Sequence, residues 1–559
     1  MKKKAFAILL AAATVIQPTG VAFASEDATA ETSLAFEPYE EELNISLGRL
    51  ASEHTVSSLY KGDTLENNPY TRYIKDKLNI TFTDVIEADG DDYKKQIALA
   101  TAAGELPDVF TVTDYDLLVD LVDSGLIYDM TDYYEEYASD YIKSIYDSYD
   151  GRCLGNVTFD GKLMCLPGAN PDNGVPVLCW VRKDWLDKLD YNPDEDGDLC
   201  ISIDDIEELA KKFMEADLSG KGTIGIAASD SIDDIEWLYE GMGGFGNKWI
   251  QNEDGTIENT TFANDSVKNA WERMNKWYEE GILDPQFGTR TWDDVTSLLI
   301  NGQLGIAFGP WHTSDWRLVH VKDADPEAEY IAYTIKDADG KVNCAHENAA
   351  SSYIVVNKDF EHPEAAVKIL NVLFDELAQA TDESAPEVLQ FIDDGGDNFC
   401  RPFQIEVLSA GNVQKYWDDH YGVMTGTITP EEAQTTENRT SCKALLNYMD
   451  YMENPEGKEW NTEILFGWKT YTSRIVGCGA AVNALNQNGN GNWISPLYPP
   501  TLPVMEQKQE TLNTILLQAY IKIVTGEEPI SYFDELKTMW SENGGDEIIA
   551  ELEDYYSAN

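Results

Sequence analysis

Strands and helices alternate along this chain, and this alternation is the strongest constraint on its fold. The hydrophobic pattern predicts strands over 43–50, 80–85 and 108–112, separated by helices over 68–78 and 93–103. Apolar residues recur every second position in the former segments and with a period of 3.6 in the latter. Strands that alternate with helices of this length predict a parallel sheet covered by helices. We therefore expect an α/β fold.

A second alternating unit follows the first. Its predicted strands are 177–181, 223–228 and 305–308, and its predicted helices are 183–189, 206–216 and 266–280. A strand over 352–356 and a helix over 363–374 come next, and the tail over 506–556 is mostly helical. A chain of 559 residues exceeds the size at which a single hydrophobic core keeps growing. Two or more lobes are therefore expected.

The first 24 residues have the three parts of a cleavable secretory signal peptide. Residues 2–4 are lysines, residues 5–16 are apolar but too few to cross a bilayer, and residues 22–24 are Ala-Phe-Ala, which would leave Ser25 as the mature N-terminus. A buried N-terminal helix is the alternative. The following segment, 25–40, is acidic and aperiodic, which predicts a disordered leader.

The composition excludes several classes of partner and site. The chain has 101 acidic and 40 basic residues and a net charge of −61, which argues against nucleic acid and anionic membranes as partners. Its eight cysteines contain no C-x-x-C pair, so zinc-ribbon and thioredoxin-like sites are not expected, while disulfides and buried thiols both remain open. No P-loop or nucleophile elbow appears, so no enzyme is expected. A secreted glycoside hydrolase is the alternative, because abundant Asp and Glu cannot show whether two carboxylates are paired.

Seven short runs then follow one another in a defined order over most of the chain. They are ELPDVF (105–110), DSGLIYDMTDYY (123–134), VRKDWLDKL (181–189), WYEEGILDPQF (277–287), LINGQLGIAFGPW (299–311), HPEAAVKILN (362–371) and TGEEPISYFDELKTMWSENGGDEI (525–548). In this order and spacing, the chain resembles the extracellular solute-binding proteins of ABC importers, the family that includes the maltose- and oligosaccharide-binding proteins.

This resemblance implies two α/β lobes, joined by hinge strands, that close on a ligand in the cleft between them. Lobe 1 would comprise 41–172 and 346–405, and lobe 2 would comprise 173–345 and 406–559, with crossings near 170–177 and 343–351. The implied function is capture of a carbohydrate, an oligosaccharide in the first instance, by a monomer that delivers it to a membrane permease. A peptide or another polar solute is the alternative ligand. No cysteine stands directly after the apolar segment of the signal, so a lipid anchor is not expected there, and periplasmic, cell-surface and extracellular locations stay open.

The resemblance also suggests ligand contacts. Trp311 stands where the maltose-binding relatives place a tryptophan that stacks on sugar. Trp237 and Tyr239 resemble a second aromatic contact of the same lobe, and Trp468 is a third candidate. Each could instead be a core residue, since aromatic side chains are ordinary core material in a protein of this size.

Lobe 1 offers polar candidates. Asp114, Tyr115 and Asp116 follow the third predicted strand, and Arg49 lies at the end of the first. Ligands of open α/β sheets gather at the carboxyl ends of the strands, which favours these positions. Acidic residues are so frequent here that any of them could be a bystander.

A loop over 194–205 has the spacing of a calcium-binding loop. Positions 1, 3, 5, 7, 9 and 12 would be Asp194, Asp196, Asp198, the Cys200 carbonyl, Ser202 and Asp205. Leu199 replaces the usual turn glycine, and Asp205 replaces the bidentate glutamate. The sequence therefore predicts either a structural Ca²⁺ site or an acidic surface loop that caps the next helix.

Overall fold

The fold is taken from a computed structural model. It describes residues 34–170, 175–381, 383–456, 458–482 and 489–558. The proposed signal peptide lies outside the described residues, as do residues 25–33 of the leader.

Short strands and longer helices alternate through the described chain. The strands are β1 (Leu43–Leu50), β2 (Ile80–Ala88), β3 (Val109–Val112), β4 (Thr158–Phe159), β5 (Lys162–Leu163), β6 (Leu166–Pro167), β7 (Leu178–Arg182), β8 (Cys200–Ser202), β9 (Trp249–Gln251), β10 (Ile257–Asn259), β11 (Ile306–Gly309), β12 (Tyr330–Lys336), β13 (Val342–Ala345), β14 (Tyr353–Val356) and β15 (Gly491–Ile494).

The helices are α1 (Glu53–Ser58), α2 (Pro69–Leu78), α3 (Gly90–Ala103), α4 (Tyr115–Asp123), α5 (Thr131–Tyr137), α6 (Asp140–Asp147), α7 (Arg152–Gly155), α8 (Lys183–Leu189), α9 (Ile203–Ala216), α10 (Glu236–Gly241), α11 (Ser266–Glu279), α12 (Trp292–Ile300), α13 (Val319–Ala324), α14 (Glu364–Asn371), α15 (Pro386–Asp393), α16 (Asn412–Thr425), α17 (Thr436–Glu453), α18 (Thr462–Thr470), α19 (Cys478–Val482), α20 (Pro503–Val524), α21 (Tyr532–Trp540) and α22 (Asp546–Ala558). π-Helical turns occur at Ser314–Leu318, Val372–Glu376, Tyr471–Gly477 and Ser541–Gly545.

The sheet of lobe 1 has the strand order β2-β1-β3-β14-β6. β1 runs parallel to β2 and β3, as predicted, but β14 runs antiparallel to β3 and β6. The predicted parallel pairing is therefore confirmed for β1, β2 and β3, whereas the later strand β14 makes the sheet mixed. β14 begins with Tyr353 opposite Val112, the last residue of β3, because the chain returns from lobe 2 at the edge where β3 ends.

The sheet of lobe 2 has the order β11-β7-β12-β8 and is also mixed, with β7 antiparallel to both neighbours. The predicted strand over 223–228 is reduced to two isolated bridges, Ile224 with Leu304 and Ile226 with Leu283. Its backbone N–H groups bond to two separate loops, so no continuous ladder forms.

Each lobe has its own hydrophobic core. One core draws on residues 45–169 and 349–407, so it lies around the first sheet. The second sheet is covered on both faces, because successive residues of a strand point to opposite sides. In β7, Cys179 and Val181 face a core shared with α20 to α22, while Leu178 and Trp180 face one shared with α16 to α19.

Three chain segments cross between the lobes side by side. The Gly168 N–H donates to the Ser352 carbonyl at 2.7 Å, and the Ala169 N–H donates to the Glu406 carbonyl at 2.7 Å. The Leu408 N–H donates back to the Ala169 carbonyl at 3.1 Å. Backbone hydrogen bonds thus join the first, second and third crossings into one hinge.

The end of the predicted disordered leader is ordered by packing, which corrects the prediction for residues 34–40. Asn371 Nδ2 donates to the Ala35 carbonyl at 3.0 Å, and the Tyr39 hydroxyl donates to Glu364 Oε1 at 2.8 Å. Ala35 is buried. The low hydrophobicity of this segment gave no indication of these contacts, because the partner residues lie in α14, more than 300 residues later in the chain.

The eight cysteines are all buried, and none forms a disulfide. They occur as free thiols, one of the two arrangements that the sequence left open. In the part of the chain that is described, no helix combines the length and the apolar character needed to cross a bilayer.

We predict that Gly168→Val destabilises the protein by about 1–3 kcal/mol, because overpacking a filled site displaces its neighbours. A Cβ at Gly168 would lie 3.3 Å from the Glu406 oxygen and 3.5 Å from the Ser352 oxygen, within the hinge. Gly155→Val is the control, since no atom lies within 4 Å of its added Cβ. Urea unfolding measures both. Equal midpoints for the two variants would contradict a close-packed hinge.

Candidate ligand-binding site

A cavity of about 370 Å³ lies between the two lobes. Lobe 1 lines it with Tyr70 and Phe374, lobe 2 lines it with Tyr416 and Glu437, and residues 406–409 of the third crossing complete its wall. Its volume lies within the range of about 300–1,000 Å³ typical of small-molecule sites. Because both lobes contribute walls, a ligand here would link their relative position to binding.

The polar groups of this cavity are only partly satisfied by the protein. Arg401 is buried and pairs with Glu406 at 2.6 Å. Ser409 and Asn412 are 7% and 6% exposed, and neither the Ser409 Oγ nor the Asn412 Nδ2 has a hydrogen-bond partner among the described residues. The Asn412 amide lies near the Tyr416 hydroxyl but without adequate geometry for a bond. Buried polar groups left unpaired cost about 1–3 kcal/mol each, which a hydroxyl-rich ligand could offset.

Glu437 adds a carboxyl group to the same cavity. Its side chain is 54% exposed, and Arg474 Nη2 lies 3.6 Å from Oε1. Desolvation by the surrounding protein raises the pKa of Glu437 above its ordinary value, and the nearby Arg474 opposes this shift. Because more than half of the side chain is exposed and it lines the cavity, a ligand can reach the carboxyl group.

Trp311, the principal predicted contact, lies behind this cavity rather than in its wall. It is 4% exposed, and its ring is 5.3 Å from that of Tyr416. The guanidinium of Arg474 lies 4.9 Å from the centre of the Trp311 ring. Trp311 therefore supports Tyr416, and it is Tyr416 that meets the cavity.

The other predicted aromatic contacts are core residues. Trp237 stacks on Phe308 with ring centres 3.6 Å apart, and the Tyr239 hydroxyl accepts a hydrogen bond from Trp271 Nε1 at 3.0 Å. Trp468 is fully buried and donates its Nε1 proton to a carboxylate at 3.1 Å. In this arrangement, none of the three offers a surface to a ligand.

Arg49 has a structural role in the described fold. It is 0% exposed and pairs with Asp84 at 2.8 Å, and Asp84 is 2% exposed. Desolvation by burial raises the pKa of Asp84 to about 6, and Arg49 opposes this shift. The 2.8 Å contact shows that the pair nevertheless forms, and it lies beneath the protein surface.

Asp114, Tyr115 and Asp116 lie where lobe 1 meets a later segment. Asp114 caps the N-terminus of α4, and the Tyr115 hydroxyl donates to the Asn156 carbonyl at 2.7 Å. Asp116 is exposed and accepts a hydrogen bond from the Thr501 N–H at 2.6 Å. These three residues remain partly accessible, so a role in binding stays a prediction.

The backbone of the 194–205 loop follows the expected calcium-loop pattern. Asp194 accepts hydrogen bonds from the N–H groups of Gly197, Asp198 and Leu199. Leu199 has φ of 57°, which is the left-handed conformation expected at the position of the usual glycine. The turn is thus formed without that glycine.

The carboxylates of the loop do not converge. Asp198 accepts from the Cys200 N–H, and Asp205 accepts from the N–H and hydroxyl of Ser202, which caps α9. Asp196 is exposed. Across the described residues, no group of three or more His, Cys, Asp or Glu is arranged to hold a metal ion. The backbone therefore suits a cation loop, whereas Asp194 and Asp198 accept hydrogen bonds within the loop and Asp205 caps α9.

A comparison with protein families settles the class of protein. The model of the bacterial extracellular solute-binding proteins matches residues 63–380. The chain belongs to this family. The family resemblance noted in the sequence is therefore confirmed.

Individual relatives are distant but span nearly the whole chain. The polygalacturonan/rhamnogalacturonan-binding protein YtcQ of Bacillus subtilis is 22% identical over 504 residues, which are 87% of this chain and 88% of that protein. Among solved structures, the alginate-binding protein AlgQ2 without calcium ion has a TM-score of 0.57 at 14% identity, covering 94% of this chain and 99% of that one. An EF-hand mutant of the Streptococcus pneumoniae substrate-binding protein FusA has a TM-score of 0.53 at 15% identity, covering 92% and 99%. The two-lobed solute-binding fold is thereby confirmed.

Sequence reasoning did not find the residues that line the cavity. Ser409, Asn412 and Tyr416 follow the third crossing in the segment VLSAGNVQKYW, where serine, asparagine and tyrosine recur at helical spacing. This spacing could have indicated that one helix face meets a ligand. The rule that ligands gather at the ends of strands does not cover α16, because this helix begins after a hinge segment.

We predict that Arg49→Met destabilises the fold by about 3–5 kcal/mol, because it leaves the buried Asp84 carboxylate without its partner. The double variant Arg49→Met/Asp84→Leu is the control and should recover most of that loss. Chemical unfolding measures both. If Arg49→Met instead retained its stability and lost only ligand affinity, the original interpretation of Arg49 as a ligand contact would be restored.

Proposed function

We propose that this protein captures a carbohydrate between its two lobes and delivers it to the permease of an ABC importer. The observation that carries the proposal is the interlobe cavity, with tyrosine and phenylalanine walls and unpaired polar groups. Sugars present apolar C–H faces and hydroxyl edges, so aromatic walls beside free hydrogen-bonding groups suit them. The name of the relative YtcQ, a polygalacturonan/rhamnogalacturonan-binding protein, supports a carbohydrate over a peptide.

Capture rather than catalysis suits a cavity divided between two lobes. A ligand that contacts both Phe374 and Tyr416 favours the interlobe angle at which both contacts form. The permease could then distinguish loaded from empty protein by that angle. A secreted glycoside hydrolase remains the alternative from the enzyme class, and turnover of a bound oligosaccharide would identify it.

Export is the second part of the proposal. The basic, apolar and small-residue segments of residues 2–24 would direct the chain across the cytoplasmic membrane. The receptor would then meet its ligand outside that membrane and act as a monomer. N-terminal sequencing of the secreted protein tests this, and Ser25 is the expected first residue.

We predict that Ser409→Ala lowers affinity for the captured carbohydrate about two- to tenfold, the value of one hydrogen bond, without lowering stability. The free protein loses no bond, since the Ser409 Oγ has no partner among the described residues. The ligand is first found by a thermal-shift screen of oligosaccharides, pectic fragments and peptides. Ligand at 100 times its Kd stabilises by about 2.7 kcal/mol. Isothermal titration then compares the variants.

Ser266→Ala is the matched control for this substitution. Ser266 is equally buried, but its Oγ donates to the Met242 carbonyl at 2.9 Å, away from the cavity. It should lower stability by about 1 kcal/mol and leave affinity unchanged. Unchanged affinity in Ser409→Ala would exclude this cavity as the site, and the absence of any carbohydrate ligand would refute the proposed function.

We further propose that the 194–205 loop binds Ca²⁺ as a structural ion. The arrangement of Asp194 with three successive N–H groups and the left-handed Leu199 supports this. Binding would require Asp196 and Asp198 to turn inward, since their carboxylates do not converge in the described arrangement. An acidic capping loop that never binds metal is the alternative.

Asp196→Asn tests the calcium proposal. Asp196 is exposed, and its side chain makes no hydrogen bond in the described structure, so the apo fold should be unaffected. We expect millimolar Ca²⁺ to raise the melting temperature of the unmodified protein and to have a smaller effect on Asp196→Asn, because one ligand is lost. Glu195→Gln, at a non-ligating loop position, is the control. A melting temperature insensitive to both Ca²⁺ and a chelator would refute the site.

A further inference from the structure

A second groove, separate from the interlobe cavity, lies on lobe 2 between α12 and the π-helical turn that precedes α13. Its volume is about 390 Å³, and its walls include Trp292, Asp293, Thr296, Trp316, Arg317 and His320. The turn at Ser314–Leu318 widens the backbone at the position of Trp316 and Arg317. Such π-helical turns are rare and frequently occur at functional sites.

Two tryptophans in this groove are unusually exposed. Trp292 is 38% exposed and Trp316 is 39% exposed, and their rings stack with centres 5.8 Å apart at 29°. The Trp316 Nε1 donates to His312 Nδ1 at 3.1 Å, which fixes that ring. Adjacent exposed indoles form a contiguous apolar patch, and such patches often mark binding sites. The exposed faces of the indoles are of the kind on which the C–H face of a sugar ring stacks.

Arg317 lies directly beneath this aromatic surface. Its guanidinium carbon is 3.7 Å from the centre of the Trp292 ring, and the residue is only 3% exposed. Nε donates to Thr296 Oγ1 at 3.1 Å, and Nη1 donates to the Phe308 carbonyl at 3.5 Å. Nη2 makes no hydrogen bond to any described residue. Burial lowers the pKa of Arg317 to about 10, so the side chain still carries its charge at neutral pH.

Arg317 differs from the other buried arginines of the described chain. Arg49, Arg182 and Arg401 each have a carboxylate within 3 Å, at 2.8, 2.6 and 2.6 Å. Arg317 has none within ion-pair distance among the described residues, and the nearest acidic influence is Asp234. A buried guanidinium without an ion-pair partner is costly, and an anionic ligand that contacted it would supply that partner.

The groove begins near the edge of lobe 2 that faces the hinge. β11 ends at Gly309, which pairs with Leu178, the first residue of β7 after the crossing from lobe 1. Trp316 and Arg317 follow Gly309 within eight residues. The aromatic surface is therefore carried by a segment that leaves the hinge-side edge.

We propose that this groove binds a carboxylate-bearing sugar ring, a uronosyl residue, with its ring face on the tryptophan pair and its carboxylate on Arg317. The planar guanidinium matches a carboxylate in geometry, and a charge-assisted bond of this kind is stronger than a neutral one. The inference rests on the proposed function for the carbohydrate nature of the ligand. It adds that the ligand is anionic and that lobe 2 recognises its charge.

The test is isothermal titration of the mature protein with trigalacturonate and with its fully methyl-esterified form. The unmodified protein should prefer the acid by about tenfold or more, because the ester removes the anion that Arg317 would pair. Arg317→Met should abolish that preference and change the melting temperature little, because the lost bonds to Thr296 and the Phe308 carbonyl are offset by removal of a buried charge that has no ion-pair partner. Lys212→Met, which removes an exposed charge of the same lobe outside the groove, should retain the preference.

Trp316→Ala tests the stacking half of the proposal. It should lower the affinity for the acid and for the ester to a similar degree. Equal affinity of the unmodified protein for acid and ester, or a preference that survives in Arg317→Met, would overturn the inference while leaving carbohydrate capture intact. Failure of the unmodified protein to bind any carbohydrate would instead refute the proposed function, and the two failures are therefore distinguishable.

Discussion

The backbone ladder between the three crossing segments is the interaction on which the two-lobed structure depends. Gly168 bonds to the second crossing, and Ala169 exchanges bonds with Glu406 and Leu408 of the third, through main-chain atoms alone. Such bonds do not depend on side-chain identity, so the hinge can persist in relatives with little sequence identity. A few residues that adjust their backbone angles are sufficient for hinge closure. The ladder thus fixes where the lobes meet while leaving their angle free to respond to a ligand.

The same ladder explains which parts of the fold were predictable. Local periodicity identified β1, β2 and β3 and most helices, because period and length are properties of a short window. It could not give the direction of β14, which depends on where the chain returns from lobe 2. Nor could it show that the bonds of Ile224 and Ile226 go to different loops. Strand identity is local, whereas strand direction and partners are set by the path of the whole chain.

The candidate site shows a similar division. The resemblance placed Trp311 after β11 as a ligand contact, but whether its ring is exposed depends on α16, which begins 101 residues later. Tyr416 from that helix covers Trp311 and takes its place in the cavity wall. Five residues beyond Trp311, the π-helical turn leaves Trp316 exposed. A sequence motif therefore located the region, and packing from distant segments selected the side chains.

Charge links the two proposed binding surfaces. A net charge of −61 creates a field that disfavours anions at most of the surface. This field acts between exposed charges and is screened over about 8–10 Å at physiological ionic strength. A contact with a buried guanidinium is screened much less, so Arg317 can offset the repulsion locally. A buried cation without an ion-pair partner would thus help an acidic protein to bind an anionic sugar where the sugar ring also meets Trp292 and Trp316. Selectivity in such a protein comes from the position of the cation rather than from the overall charge.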